Sequence, residues 1–582
     1  MTSKIQTLPT EVVHLMAAGE VIDSLAAVVR ELAENAIDAG ATRLHISLWQ
    51  HQWRVRVSDN GNGMGLDDLQ QAATPHSTSK IYSSHDLWQI NSLGFRGEAL
   101  HSLAQLAQLE ICSRSLTAPE GWRVSYDTQG TPNRVEVAAI APGTVVTVSD
   151  LFGNWLPRRA SLPNSAQQMR AVQATVHQLA LCHPHITWQV EQDDRPWFAI
   201  WSSPSALQIL PQILRDLQPA DLQFLQISFS ESTDAIHRVS GASIDHNSIP
   251  PSLYLLIGLP DRCHRHRPDW VRVAVNGRMV KLPELEQTIL GVFRRALPRD
   301  RHPVCFLHLQ IAPEQIDWNR HPAKTEIYLQ HLETWQERVR EAIAQAMQLN
   351  TSLPEAAHSH RVGQLLKAAE AQGAYYHSRS VQSVEAEEST EDNPSATTPF
   401  HSPGALRAIA QVHNMYILAE HPNGVWLVEQ HIAHERVLYE QLCDRWTLVP
   451  LEPPIILNQL SSAQIEQLQR LGLTVDCFGE QLWAIRTAPE PLAQRSDCSD
   501  ALLELSLGGN LEAALVATAC RTAIRNGTPL TLTEIQTLLD QWQQTQMPRT
   551  CPHGRPIYLK LEESSLSRFF RRHWVIGKSH GI

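Results

Sequence analysis

In "EQHIAHERVLYE", residues 429–440, His431 and Glu435 stand four apart, a spacing that puts both on one face of a helix. Far downstream, "TCPHGRPIYLK" carries Cys551 and His553 two positions apart, and "TACRTAI" carries Cys520. Imidazole, thiolate and carboxylate together are a donor set for zinc or a similar divalent ion. The His431 and Glu435 pair alone is far more often just the polar side of an exposed helix. The distant cysteines and histidine favour the metal reading.

A second group of chemistry-bearing residues lies near the start of the chain. "AAVVRELAENAIDAGA" is rich in helix formers, with an apolar stripe through Val28, Leu32 and Ala36 and a stop at Gly40. Glu31, Asn35 and Asp38 share one helix face, with Glu34 offset from it. Next, "QWRVRVSDNGNGMG" predicts a strand alternating through Trp53, Val55 and Val57, ending at Asp59 and followed by Gly61, Gly63 and Gly65. A carboxylate at a strand end accepts the exocyclic amine of a purine, and glycines let a backbone approach a ligand closely. In "SLGFRGEALHSLAQL" we expect Gly94 and Gly97 to open a helix whose free N–H groups suit phosphates, with Arg96 adding charge.

The elements that must position these residues divide into several bodies. A chain of 582 residues exceeds what one core supports and predicts about three domains. Apolar content of 43% and charged content of 19% suit folded domains. The N-terminus lacks a secretory pattern and no run of about eighteen apolar residues occurs, so a cytoplasmic location without membrane attachment is expected. Nine scattered cysteines do not form a disulfide framework. A net charge of −12 argues against a uniformly basic coat, yet arginines cluster at 158–159, 262–267 and 294–299. Residues 351–404 are rich in Ser, Thr, Glu, Pro and His and predict a disordered linker. Domains are therefore expected at 1–203, 204–350 and 405–582. The last begins with a hairpin around an Asn423–Gly424 turn, leading directly into the helix of His431.

"AAGEVI", "RELAENAIDAGA", "DNGNGM", "HSTSKI", "LGFRGEAL", "GTVVTVSDLF" and "DWNRHPAKTEI", in this order, resemble the MutL family of DNA mismatch repair proteins. That family shares its ATPase fold with gyrase and the histidine kinases. The resemblance implies an α+β multidomain chain with an N-terminal ATPase sandwich, an α/β transducer domain, a linker and a C-terminal α+β dimerisation domain. It implies ATP and Mg²⁺ as ligands, with Glu31 as the base that orients water, Asn35 as the Mg²⁺ ligand, and Asp59, supported by Thr144, as the adenine reader. Lys80, Gly94, Arg96 and Gly97 fall in the lid over the phosphates, and Lys324 of "HPAK" matches the lysine that reaches the γ-phosphate from the next domain.

The C-terminal motifs "EQHIAHE", "ACR", "CPHGRP" and "RFFRRHW" resemble those of the nicking endonucleases within the family. The resemblance then implies an Mn²⁺ or Zn²⁺ site built from Glu429, His431, Glu435, Cys520, Cys551 and His553. Two departures bear on this: Glu429 stands where the family has aspartate, and Ile432 where it has alanine. Elsewhere Trp155, Leu156 and Pro157 replace a Thr-Pro-Ala run, and Trp318 and Arg320 replace small aliphatics. Arg445, before "WTLVPL", replaces the glutamine that opens a sliding-clamp-binding peptide. The expected function is an ATP-driven mismatch repair switch that nicks DNA; the alternative is an ATP-dependent matchmaker whose metal is structural. Expected partners are a second copy of the chain, double-stranded DNA bound without sequence preference, the mismatch-recognition protein MutS, and the sliding clamp.

Overall fold

The structure, a computed structural model, describes residues 9–81, 92–94, 97–215, 217–229, 250–298, 300–317, 327–348 and 406–563. The chain divides into two compact units, Met1–Ala346 and Met347–Ile582. Arg96, Lys324, Trp318, Arg320, Arg299, the 351–404 segment and "RFFRRHW" lie outside the described residues.

In the first unit the helix Leu25–Asp38 starts at Ser24, whose hydroxyl accepts the Ala27 N–H at 3.2 Å. It stops before Gly40, which takes φ +75°. Val28, Leu32 and Ala36 are buried as their spacing requires. They belong to a core shared with an eight-stranded sheet. Its strands run in the spatial order Pro132–Ala138, Gly121–Tyr126, Gln108–Arg114, Gly143–Ser149, Arg54–Asp59, Arg43–Trp49, Thr187–Gln192, Arg195–Ile200. Trp53 is not a strand residue as its alternation suggested. It takes φ 49° in the turn, and the strand begins at Arg54. Trp155 packs against the N-terminal helix, where a Cβ on Gly19 would lie 2.6 Å from its ring.

The following five-stranded sheet has the order Arg278–Val280, Val271–Val275, Cys305–Gln310, Ser252–Gly258, Leu222–Ser228. The run "DWVRVAVNGRMV" forms two strands, folded back at Asn276 and Gly277 with φ 47° and 80°. Positive φ at both corner residues is the geometry that Asn-Gly supplies to a tight hairpin.

This turn is fully bonded. The Asn276 side chain donates to Ile311 O at 2.8 Å and accepts from Ile311 N at 2.9 Å. His183 lies 2.9 Å from the Gly277 carbonyl, and Gly277 N–H donates to His308 Nε2 at 2.9 Å. Burial pushes both imidazoles down to about 4. An unfolded histidine titrates near 6.5, so the unfolded chain takes up more protons than the folded one between these values. The stability contributed by the neutral rings is present above about pH 6.5 and is lost as pH falls toward 4, on the order of 2–4 kcal/mol for each ring. Thermal melts of the N-terminal transition are expected to drop across that window, and His308→Gln is expected to flatten the decline.

The second unit has a four-stranded sheet in the order Arg407–Val412, Tyr416–His421, Gly424–Glu429, Tyr558–Glu562. Helices Gln430–Asp444 and Leu532–Gln543 contribute Ala433, Val437, Leu538 and Trp542 to its core. The expected hairpin is present, but its corner is Pro422–Asn423, since His421 pairs with Gly424. Pro422 presets φ for the first corner position, which displaces the turn by one residue from Asn-Gly. A separate three-stranded sheet, Leu448–Asn458, Leu482–Pro489 and Val475–Gly479, packs with helices Ser462–Arg470 and Cys498–Ser506. No single helix among the described residues is long and apolar enough to cross a membrane.

Candidate nucleotide site and candidate metal centre

Glu31 is buried on the helix Leu25–Asp38, with Oε1 held by the Arg30 guanidinium at 3.1 Å. Asn35 lies on the same face, one turn on, against the chain at Gly94: a Cβ there would sit 3.1 Å from Asn35 Oδ1 and 3.0 Å from Lys80 Nζ. Asp38, whose role the sequence left open, gathers this segment. Its carboxylate accepts Leu93 N–H and Gly94 N–H, each at 2.9 Å, and pairs with Lys80. The helix following this segment begins only at Ala99, so Gly94 is placed by Asp38 and not by a helix terminus.

Asp59 ends its strand opposite Thr144. Burial pushes its carboxyl up, and the Gly61 and Thr144 N–H groups oppose this. The Thr144 hydroxyl lies 2.9 Å from Ser113 Oγ, which also accepts Met64 N–H at 2.9 Å. Gly63 has φ +68°, and a Cβ there would stand 2.0 Å from the Arg114 carbonyl. That turn admits glycine alone. The result is a recessed carboxylate at one end and Asn35, Lys80 and the Gly94 backbone at the other.

In the second unit, Glu435, Cys551 and His553 offer donor atoms that all lie within 4.8 Å of one another. Glu435 Oε1 is 2.6 Å from His553 Nδ1, and Oε2 accepts from Arg555 at 3.0 Å. Burial raises the Glu435 carboxyl, but His553, Arg555 and His431 outweigh it and hold it low. Burial likewise raises the Cys551 thiol, and contacts with His553 and Arg555 bring it below its usual value. Cys551 and Glu435 in turn hold His553 up at about 9. The Glu435 carboxylate and the Cys551 sulfur thus face the His553 imidazolium and the Arg555 guanidinium, positive charge of the kind that a divalent ion would otherwise provide.

His431 and His434 clamp one residue, Ile524, at both its backbone groups. His431 Nδ1 lies 2.9 Å from Ile524 O, and Ile524 N–H donates to His434 Nδ1 at 2.9 Å. A His431 Nδ1–H given to that carbonyl leaves Nε2 free to bind a metal. Ile524 closely follows the helix Leu511–Thr522 that carries Cys520. Cys520 is half-buried; burial raises its thiol, Glu435 next. Glu429 behaves differently. Its Oε2 caps the helix by accepting Ile432 N–H, while Oε1 is buried with no hydrogen-bond partner. A buried orphan carboxylate oxygen on the residue that caps the helix of His431 and Glu435 suits a metal ligand. Among the described residues Glu435, Cys551 and His553 therefore come together directly; His431 and Cys520 lie near enough to interact electrostatically with Glu435, and Glu429 is not brought into the group.

Arg436, buried within the same helix, donates to the Thr550 carbonyl at 2.7 Å and pairs with Glu440 at 3.7 Å. Glu440 accepts Gln546 N–H at 2.6 Å and Met547 N–H at 3.1 Å. This brace holds the chain that leads into Cys551. Arg436→Ala is expected to lower the stability of this unit by about 3–5 kcal/mol, because it removes a fully buried side chain, leaves the Thr550 carbonyl without that donor and takes from Glu440 its cation; urea melts followed by tryptophan fluorescence check this.

Comparison with known proteins completes the picture. A relative from Nostoc punctiforme named DNA mismatch repair protein MutL is 63% identical over 590 residues, covering 100% of both chains. The chain belongs to the MutL family of DNA mismatch repair proteins. Another relative of that name, from Trichormus variabilis, is 61% identical over 585 residues with the same full coverage. One from Syntrophotalea carbinolica is 26% identical over 98% of this chain and 100% of its own length. Residues 23–144 match the histidine kinase-, DNA gyrase B- and HSP90-like ATPase family, residues 234–348 the DNA mismatch repair protein C-terminal domain, and residues 409–530 the MutL C terminal dimerisation domain.

The MutL chain is thus an ATP-binding mismatch repair protein of α+β multidomain architecture. Its ATPase segment contains Glu31, Asn35, Asp59, Lys80, Gly94 and Thr144. Sequence reasoning missed Glu34, which was set aside as off the shared face. It is buried and paired with Arg278 at 2.6 Å. It also missed His434, Arg436 and Arg555. The one local signal was the i, i+4 spacing of Arg436 and Glu440.

Proposed function

We propose that this MutL protein is an ATP-switched endonuclease that nicks DNA during mismatch repair. The N-terminal unit, residues 1–203 with 204–350, supplies the switch, and residues 405–582 supply dimerisation and incision. At the nucleotide, Glu31 orients the attacking water, Asn35 faces Mg²⁺, Asp59 with Thr144, Gly61 and Gly63 receives the adenine, and Lys80, Gly94, Arg96 and Gly97 cover the phosphates. Lys324 reaches the γ-phosphate, so that its presence locks two domains together.

The observation that carries the nuclease reading is the convergence of Glu435, Cys551 and His553, with His431 held in a metal-ready tautomer. Those residues with Glu429 and Cys520 would hold Mn²⁺ or Zn²⁺, which supplies Lewis acidity toward a phosphodiester. The protein's own contribution is to hold the donors in place through Ile524 and Arg436 and to keep Glu435 ionised. Nicking of supercoiled plasmid by the intact protein with Mn²⁺ tests the reading. One observation favours a matchmaker with a structural metal: Glu429 already spends one oxygen on its own helix N-terminus.

Double-stranded DNA, MutS, the sliding clamp and a second copy of the chain are the proposed partners. For DNA the basic loops of the five-stranded domain are the candidate contact. Arg265 pairs with Asp269 at 2.8 Å and Arg262 with Asp261 at 3.2 Å, which reduces their charge. Reversing Arg294 and Arg295 to Glu is expected to weaken DNA binding at least tenfold at low salt and to flatten its salt dependence. Filter binding across a salt series measures both.

A further inference from the structure

The turn Asn276–Gly277–Arg278 belongs to the five-stranded sheet, yet its outer residue reaches into the nucleotide domain. The Arg278 Nη2 donates to Glu34 Oε2 at 2.6 Å and also to the Leu93 carbonyl. Glu34, Arg278 and Leu93 are all buried. Glu34 lies one helical turn before Asp38, and Asp38 accepts the N–H of the same Leu93 at 2.9 Å. The Leu93 residue is therefore gripped at both ends, its N–H by the nucleotide helix and its C=O by an arginine from the next domain. Gly94 follows directly, and its own N–H also rests on Asp38 at 2.9 Å.

Nothing in the turn leaves Arg278 loose. His183 and His308 fix the Gly277 peptide groups from either side, and Asn276 is tied to Ile311 in both directions. Gly277 cannot be replaced without strain, having φ +80° with a Cβ position 2.9 Å from His183. A planar guanidinium meeting a carboxylate and a carbonyl suits a fixed position better than a lysine ammonium would. The bonds from Arg278 to Glu34 and Leu93, and from His183 to Gly277, cross between the two domains, while those to His308 and Ile311 anchor the turn in its own, so moving the turn moves Leu93.

We propose that Arg278 is a positioning residue of the ATPase reaction. It sets the Leu93–Gly94 segment against the nucleotide helix and makes that setting depend on the seating of the neighbouring domain. The proposal rests on the reading that Gly94 and Lys80 face the phosphates. Adenine recognition at Asp59 lies outside this linkage. Loss of Arg278 therefore acts on turnover more than on ADP binding.

The test uses the full chain with Glu34→Gln and Arg278→Gln combined, which leaves no unpaired buried charge, beside Arg278→Lys and Lys80→Ala. The double variant is expected to lose about 10- to 100-fold in kcat, the scale of a small misplacement, with ADP affinity within about threefold and faster hydrogen exchange in the peptide containing Leu93 and Gly94. Arg278→Lys is expected to recover part of kcat and part of the protection. Wild-type kcat with unchanged protection in the double variant would overturn the role of Arg278. So would parallel losses of ADP affinity, kcat and melting temperature, which mark a purely structural pair. Wild-type turnover in Lys80→Ala removes the phosphate reading itself, whereas its loss there with normal turnover in the double variant removes the Arg278 proposal alone.

Discussion

Glu31→Ala is expected to bind nucleotide within a few fold of wild type and to lose about 10²- to 10⁴-fold in ATP turnover, the contribution of a positioned base. The reasoning starts from the helix. Ser24 caps it and Val28, Leu32 and Ala36 anchor its apolar face, so alanine at 31, a good helix former, leaves the element intact. Asp59, Thr144 and Ser113 lie on strands away from this side chain, and the base-binding end is untouched. Arg30, the one residue among those described that bonds the Glu31 carboxylate, is itself partly solvated, and its release costs little. Glu31→Gln keeps the shape and removes the proton acceptor, which separates chemistry from packing. Calorimetric titration with ADP and a phosphate-release assay give the two readouts. Ordinary turnover in either variant would remove Glu31 from the role of base.

Much of this arrangement was legible in the sequence because it is local. The apolar stripe placed the helix of Glu31, and alternation placed Val55 and Val57 inside the sheet. The i, i+4 spacing brought His431 and Glu435 to one side of a helix. What escaped depends on competition between nearby residues or on distant partners. Pro422 took the turn corner that Asn423 and Gly424 advertised, while Asn276 and Gly277, carrying the same signal, do form the corner of their hairpin. Gly94 and Gly97 suggested a helix terminus, but Asp38 holds Gly94 well before the helix starts. Glu34 looked idle because its partner lies 244 residues away on another sheet. The same holds for Glu435 and Arg555, separated by 120 residues. Sequence periodicity says which face a residue occupies; it does not say what a folded chain brings to that face.

The intact protein is expected to nick supercoiled plasmid in the presence of Mn²⁺, and Glu435→Ala to lose that activity by more than about 100-fold while hydrolysing ATP normally. Even residues that only orient a metal ligand cost 10- to 100-fold when removed, and Glu435 is a donor itself, buried and held ionised among His553, Arg555 and His431. The open question in the chemistry is Glu429. An aspartate at this position would have a shorter reach, and helix N-caps favour aspartate; glutamate caps Ile432 with one oxygen and leaves the other buried without a hydrogen-bond partner. If that oxygen completes the donor set, wild type nicks and Glu429→Gln is weakened. If the cap is its whole role, Glu429→Gln is silent, the protein nicks with no divalent ion tried, and a chelator lowers the melting temperature of the C-terminal unit while ATP turnover persists. That second pattern is the matchmaker with a structural metal, since such an ion stabilises the folded state directly. Glu429→Asp then becomes decisive: gain of nicking would show that the centre is held back only by the extra methylene of one carboxylate side chain.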